Sequence, residues 1–145
     1  MWPLDTKGSQ AASIPAGALG EILSASVAVG SAVPLTTSTP ANVTSLALTQ
    51  GTWDVSGVVA YHGGSGTIPA WVAQGLNTTS ATLGAVGSYT LDYPAVAIPT
   101  DPGYVTPVVR IVAPAGGVTL YLVAESSFTV STLAAYGFVR AARVG

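Results

Sequence analysis

A strict alternation of side chains over Trp53–Tyr61 constrains the fold more than any other feature of the sequence. One alternating set carries the large apolar residues Trp53 and Tyr61, and the other set begins with Asp54 and Ser56. Successive side chains of a β-strand point to opposite faces, so an apolar set that alternates with a more polar set is typical of a half-buried strand. The segment therefore predicts a strand that covers a core with one face.

The chain after residue 20 repeats this β texture. Runs rich in Val, Thr and Ala are separated by turn clusters at intervals of about 8–12 residues, and no stretch shows a convincing helical period. The predicted strands are Glu21–Val29, Val43–Thr49, Trp53–Tyr61, Ala70–Leu76, Tyr89–Tyr93, Pro107–Ala113, Val118–Phe128 and Ala134–Arg143. Gln50–Thr52 and Pro114–Gly117 are predicted to close β-hairpins. The pattern predicts an all-β fold, a jelly-roll-like antiparallel β-sandwich.

Residues 1–19 depart from this texture, because they mix a charged start with Ala, Ser, Gly and Pro and show no period. They predict an extended N-terminal arm that precedes a sandwich domain at residues 20–145. The arm contains the large apolar residues Trp2, Leu4 and Ile14. A disordered terminus seldom needs such residues, so they are expected to anchor the arm to a partner protein; a disordered terminus is the alternative.

The shortage of charge narrows the classes of partner. Charged residues make up 7% of the chain, against about 25% in an average soluble domain. Four Lys and Arg residues are too few for nucleic-acid binding, and the uncharged stretches are too rich in Ser, Thr, Gly and Pro to span a membrane. The start lacks a secretory signal, which predicts synthesis in a cytoplasm. So few surface charges predict burial against other subunits, in a homo-oligomer.

The sequence offers little catalytic chemistry. The chain has no Cys and a single histidine, His62, beside a Gly-rich loop. A hydrolytic triad through His62 would take Asp54 and Ser65, but no nucleophile elbow is present. The acidic residues are scattered, and a metal between Asp92 and Asp101 is disfavoured by the intervening prolines. We therefore predict no enzyme activity, no cofactor and no metal.

Aromatic and arginine side chains suggest contacts rather than catalysis. Trp71, Tyr93 and Tyr104 are candidates for a sugar-stacking surface, with core or interface anchors as the alternative.

The arginines of the last strand, Arg140 and Arg143, are three residues apart and are expected to point to opposite faces. Arg110 and Glu125 are candidates for a cross-strand pair.

Several segments, taken together and in order, resemble a known module. They include Trp53-Asp-Val-Ser-Gly57, Val118-Thr-Leu-Tyr121 and Ala135-Tyr-Gly-Phe138. The combination resembles a β-sandwich module of tailed-bacteriophage virion proteins, which occurs in small capsid-surface proteins and at the distal end of tail fibres and commonly assembles as a homotrimer. The arm and the Pro-rich segment Tyr93–Tyr104 do not match it.

The resemblance implies a non-enzymatic structural protein on the virion surface, made in the cytoplasm of a bacterial host. The most direct expectation is a capsid decoration (cement) protein that stabilises the head as a homotrimer, with its arm on the major capsid protein. One alternative is a short tail fibre or receptor-binding tip attached to a tail protein. A second alternative is a lectin-like carbohydrate-binding module or a depolymerising enzyme.

The expected contact residues follow from these roles. The subunit interface is expected to contain Trp53, Tyr136, Phe138 and Arg140. The loops available for contact with a host-surface polysaccharide carry His62, Tyr93 and Tyr104.

Overall fold

The computed structural model describes residues 14–94, 97 and 101–145. These residues form ten strands and one short 3-10 turn, Val29–Ser31. The strands are β1 (Ile22–Val27), β2 (Val33–Pro34), β3 (Ala41–Leu48), β4 (Gly51–Gly63), β5 (Ile68–Asn77), β6 (Tyr89–Asp92), β7 (Gly103–Val105), β8 (Val109–Ala113), β9 (Val118–Thr129) and β10 (Leu133–Arg143).

The strands build two antiparallel sheets that face each other. The six-stranded sheet has the order β1-β10-β4-β7, and the four-stranded sheet has the order β3-β9-β5-β6. The short strand β2 continues β1 along one edge of β10, and β7 and β8 share one edge of β4. If β1 with β2, and β7 with β8, are each counted as a single strand, the sandwich has eight strands numbered along the chain. Their orders in the two sheets are then 1-8-3-6 and 2-7-4-5. This is the arrangement of a jelly roll, so the predicted fold class is confirmed.

The two predicted β-hairpins are wrong, although the turns themselves are present. The turn at Gln50–Thr52 joins β3 to β4, which lie in different sheets. The turn at Pro114–Gly117 likewise joins β8 to β9 across the sandwich. Turn residues bend the chain in the same way in both arrangements, and the pairing of each strand with a distant partner decides which one forms. Both turns are therefore corners between the sheets.

The core lies between the sheets and is filled by the apolar set of the alternating strand. Trp53, Val59 and Tyr61 of β4 are fully buried, together with Leu120 and Leu122 of β9. The half-buried strand predicted from the alternation over 53–61 is therefore present with the expected face turned inward.

One buried polar side chain in the core is fully hydrogen-bonded. Gln74 accepts from the Tyr61 hydroxyl at 3.0 Å and donates to Thr90 Oγ1 at 2.6 Å and Asp92 Oδ2 at 2.8 Å. Burial raises the pKa of Tyr61 well above its usual range, so its hydroxyl stays a donor. A satisfied amide of this kind avoids the free-energy penalty of an unpaired buried polar group.

The end of β10 is tied to the start of the sandwich by a buried ion pair. Arg143 Nε lies 3.0 Å from Glu21 Oε2, and its guanidinium lies 4.4 Å from the centre of the Trp53 ring. The Gly17 backbone N–H and the Arg143 guanidinium lower the pKa of Glu21. Arg143 faces inward whereas Arg140 is exposed, as their spacing predicts.

The expected pair between Arg110 and Glu125 does not form. Arg110 instead pairs with Asp54 on the neighbouring strand at 2.8 Å, and Glu125 lies on β9 in the other sheet.

Candidate functional site

A row of apolar side chains crosses the outer face of the six-stranded sheet, by which we mean the surface that points away from the core. Phe138 of β10 pairs in register with Val58 of β4, which pairs with Val105 of β7. Their exposed fractions are 42%, 38% and 65%. We call these three residues the apolar row.

Small side chains lie beside the apolar row on β1 and β4, whereas Tyr136 and Arg140 flank Phe138 on β10. Ser26 continues the row on β1, and Ser56 and Ala60 flank Val58 on the same face of β4. A shallow depression of about 340 Å³ opens beside the row, and Arg140 lies along its edge. The arrangement gives a flat surface with a ridge of larger apolar groups, which is the form expected of a contact surface rather than of a substrate cleft.

A cation lies next to the apolar row. Arg140 is opposite Ser56 on β4 and Ser24 on β1, and it forms no ion pair with the described residues. Arginine and aromatic side chains are enriched at protein interfaces, so the neighbourhood of Phe138 and Arg140 has interface chemistry.

A polar cluster closes one end of the outer face. His62 Nδ1 lies 2.8 Å from Asp101 Oδ1, and the Tyr136 hydroxyl donates to Asp101 Oδ2 at 2.8 Å. The hydrogen bonds from His62 and then Tyr136 lower the pKa of Asp101. The same bond to Asp101 raises the pKa of Tyr136. These two contacts connect Asp101 to His62 of β4 and to Tyr136 of β10.

The structure brings together three of the four residues expected at a subunit interface. Tyr136, Phe138 and Arg140 share the outer face because they alternate along β10. Trp53 does not join them and is a correction: its side chain is fully buried in the core, where its Nε1 donates to the Thr49 carbonyl at 2.9 Å. A side chain without exposed surface cannot contact another subunit.

The three residues expected in host-contact loops lie apart. His62 belongs to the polar cluster of the outer face. Tyr104 is half-buried and its ring packs 6.0 Å from that of Tyr61, beneath the six-stranded sheet. Tyr93 is 68% exposed beside the four-stranded sheet. They do not form one surface.

The structure describes one of the three residues expected to anchor the arm. Trp2 and Leu4 lie outside the described residues. Ile14 is described and is 51% exposed.

The sequence reasoning missed Val58 and Val105, and it considered Asp101 only as a possible metal ligand. Val58 carried a signal, since it is a large apolar residue within the more polar set of the alternating strand. Val105 gave none, and neither did the contact of Asp101 with His62, because both depend on how β7 and the preceding turn meet β4.

The structure separates His62 from Asp54, the acid that a hydrolytic triad through His62 would take. Asp54 lies eight residues away on the same strand, about 26 Å at the rise of an extended chain, and pairs with Arg110. The described residues contain no group of three His, Asp or Glu side chains that could hold a metal ion. Within the same residues, no helix is long and apolar enough to cross a membrane.

Comparison with known proteins bears on the fold alone. No protein-family model matches the chain, and no curated protein matches it. Among solved structures, it is similar to the VP2 subviral particle of infectious bursal disease virus, with 10% identity and a TM-score of 0.50 over 86% of this chain and 33% of that one. The structure of the Gx strain of this virus gives 11% identity and a TM-score of 0.49 over 83% and 31%. The chain spans about a third of those chains.

Proposed function

We propose that the protein is a non-enzymatic structural component of a bacteriophage particle, a decoration protein on the head surface that assembles as a homotrimer. The jelly-roll topology and the similarity to VP2 of a viral particle support a role in particle structure. The observation that carries the proposal is the apolar row on the outer face of the six-stranded sheet.

The apolar row favours a second copy of this chain as its occupant. Single exposed apolar residues are normal on a protein surface, but three in register across neighbouring strands form a continuous patch. Only 7% of the residues are charged, so the surface has few charges to keep a protein with such an exposed patch soluble. Burial of the patch against another copy removes it from water. Burial of Phe138 and Val58 against neighbouring copies would stabilise the assembly by about 25 cal/mol per Å² before the cost of association.

A charge placed in the apolar row tests this proposal. The Phe138→Asp variant should run as a monomer at the chain mass of 14.4 kDa, whereas the unchanged protein should run at three times that mass. The reason is that a carboxylate cannot be buried in an apolar contact without a partner. Light scattering after size exclusion measures both masses.

The matched control is Val86→Asp, because Val86 is 91% exposed and lies between β5 and β6, away from the outer face of the six-stranded sheet. This variant should remain trimeric. A trimer that survives Phe138→Asp, or an unchanged protein that is already monomeric, would show that the apolar row does not hold subunits together.

A further inference from the structure

An aromatic depression lies on the opposite side of the molecule, on the outer surface of the four-stranded sheet. Its volume is about 370 Å³, within the range of small-molecule sites. It is distant in the fold from the apolar row, and the proposed assembly does not use it. The residues that matter for its chemistry are Trp71, Ala73, Tyr89, Leu91, Tyr93 and Glu125.

Strand register builds this depression. Ala73 of β5 pairs with Glu125 of β9 on one side and with Leu91 of β6 on the other. Trp71 lies two residues before Ala73, and Tyr93 lies two residues after Leu91, so the alternation of extended chains places all of them on one face. Ala73 is fully buried and forms a low floor between larger side chains.

The depression offers both an acceptor and a donor of hydrogen bonds. Neither the Glu125 carboxylate nor the Trp71 indole N–H is hydrogen-bonded to a described residue. No described side-chain nitrogen or oxygen is both buried and unpartnered, so these two groups reach the solvent. Partial burial raises the pKa of Glu125. Both groups are therefore open to a ligand.

We propose that this depression binds a pyranose ring of a neutral saccharide. Such a ring has an apolar C–H face, which would stack on Trp71 and Tyr93, and hydroxyl groups along its edge. These hydroxyls would donate to Glu125 and accept from the Trp71 indole N–H. An organic cation could use the aromatic faces and the carboxylate, but it has no use for the indole donor. The combination of donor, acceptor and aromatic surface favours the saccharide.

This inference does not depend on the proposed assembly, because none of its residues lies on the outer face of the six-stranded sheet. The test is a titration of the full chain with maltotriose, galactotriose and N,N′,N″-triacetylchitotriose, all of which are neutral. The titration is monitored through the indole N–H signal of Trp71 in ¹H–¹⁵N spectra. A Trp71→Phe variant assigns that signal. At least one trisaccharide should shift it with saturation.

Two variants and a control sharpen the test. Tyr93→Ala and Glu125→Gln should each weaken the binding of that trisaccharide about tenfold, which corresponds to about 1.4 kcal/mol. Tyr121→Phe, on the same strand as Glu125 but outside the depression, should leave it unchanged. The inference is overturned if no trisaccharide shifts the Trp71 signal, if both variants bind as well as the unchanged protein, or if choline alone binds there.

Discussion

At the scale of single residues, one strained position stands out in the turn between β9 and β10. Val130 has a φ of +84° although its side chain is branched at Cβ. A branched residue in this left-handed region crowds its own backbone, and the strain is of the order of 1–2 kcal/mol. The side chain is 74% exposed, so packing offsets little of that strain. The turn is held by the two long strands that it joins rather than by its own sequence.

Replacing Val130 with a residue that tolerates this conformation should stabilise the protein. Val130→Asn is expected to raise the free energy of unfolding by about 1 kcal/mol, because asparagine enters the left-handed region more readily. Urea unfolding measures the change. Val86→Asn is the control, since Val86 is also exposed and is not among the residues with positive φ. An equal gain in both variants would mean that the loss of an exposed apolar side chain, and not backbone strain, is responsible.

At the scale of elements, alternation predicts the strands well and their partners poorly. Each of the eight predicted strands overlaps one in the structure, because inward apolar residues and turn residues mark a strand locally. The sheet to which a strand belongs depends on contacts far along the chain, so the turn residues at Gln50–Thr52 do not distinguish a corner between sheets from a hairpin. The short strands β2 and β7 were missed for the same reason, since they exist only by pairing with β10 and β4.

The buried ion pair between Glu21 and Arg143 predicts a stability that depends on pH. The pKa of Glu21 is lowered in the folded protein, so its contribution is present above the ordinary pKa and disappears as the pH falls through the lowered value. Glu21→Gln should therefore lower Tm by several degrees near neutral pH. The difference from the unchanged protein should shrink as the pH falls below the ordinary pKa of a glutamate and vanish below the lowered pKa of Glu21. Thermal unfolding across this pH range measures both curves.

Glu125→Gln serves as the control for this pH dependence, because the pKa of Glu125 is shifted in the opposite direction by burial. An ionised Glu125 is disfavoured by folding, so its removal should not lower Tm near neutral pH. A Glu21→Gln variant whose Tm differs from the unchanged protein by the same amount at every pH would contradict the role of the ion pair.

At the scale of the whole molecule, the candidate interface could be predicted along one strand but not across the sheet. Tyr136, Phe138 and Arg140 follow from alternation along β10 alone. The apolar row needs the register of three strands, which the sequence does not display. The prediction that Trp53 lies at the interface is wrong because large aromatic residues are typical of both cores and interfaces. Trp53 lies on the apolar face of β4, and this position places it in the core.

The arm gives a prediction at the same scale. Deleting residues 1–19 should abolish binding to capsids and leave the trimer intact, because the proposed subunit contacts lie on β4, β7 and β10. Co-sedimentation with capsids measures the first effect and light scattering measures the second. Capsid binding by the truncated protein would contradict the anchoring role of the arm.

The proposed function makes this chain a structural component of a phage head. The most direct test is its copy number in purified virions, measured by quantitative mass spectrometry against the major capsid protein. A head-surface protein should be present at a ratio to the major capsid protein that is typical of a capsid component. A few trimers per particle would indicate a tail fibre instead, and absence from the particle would contradict the structural role altogether.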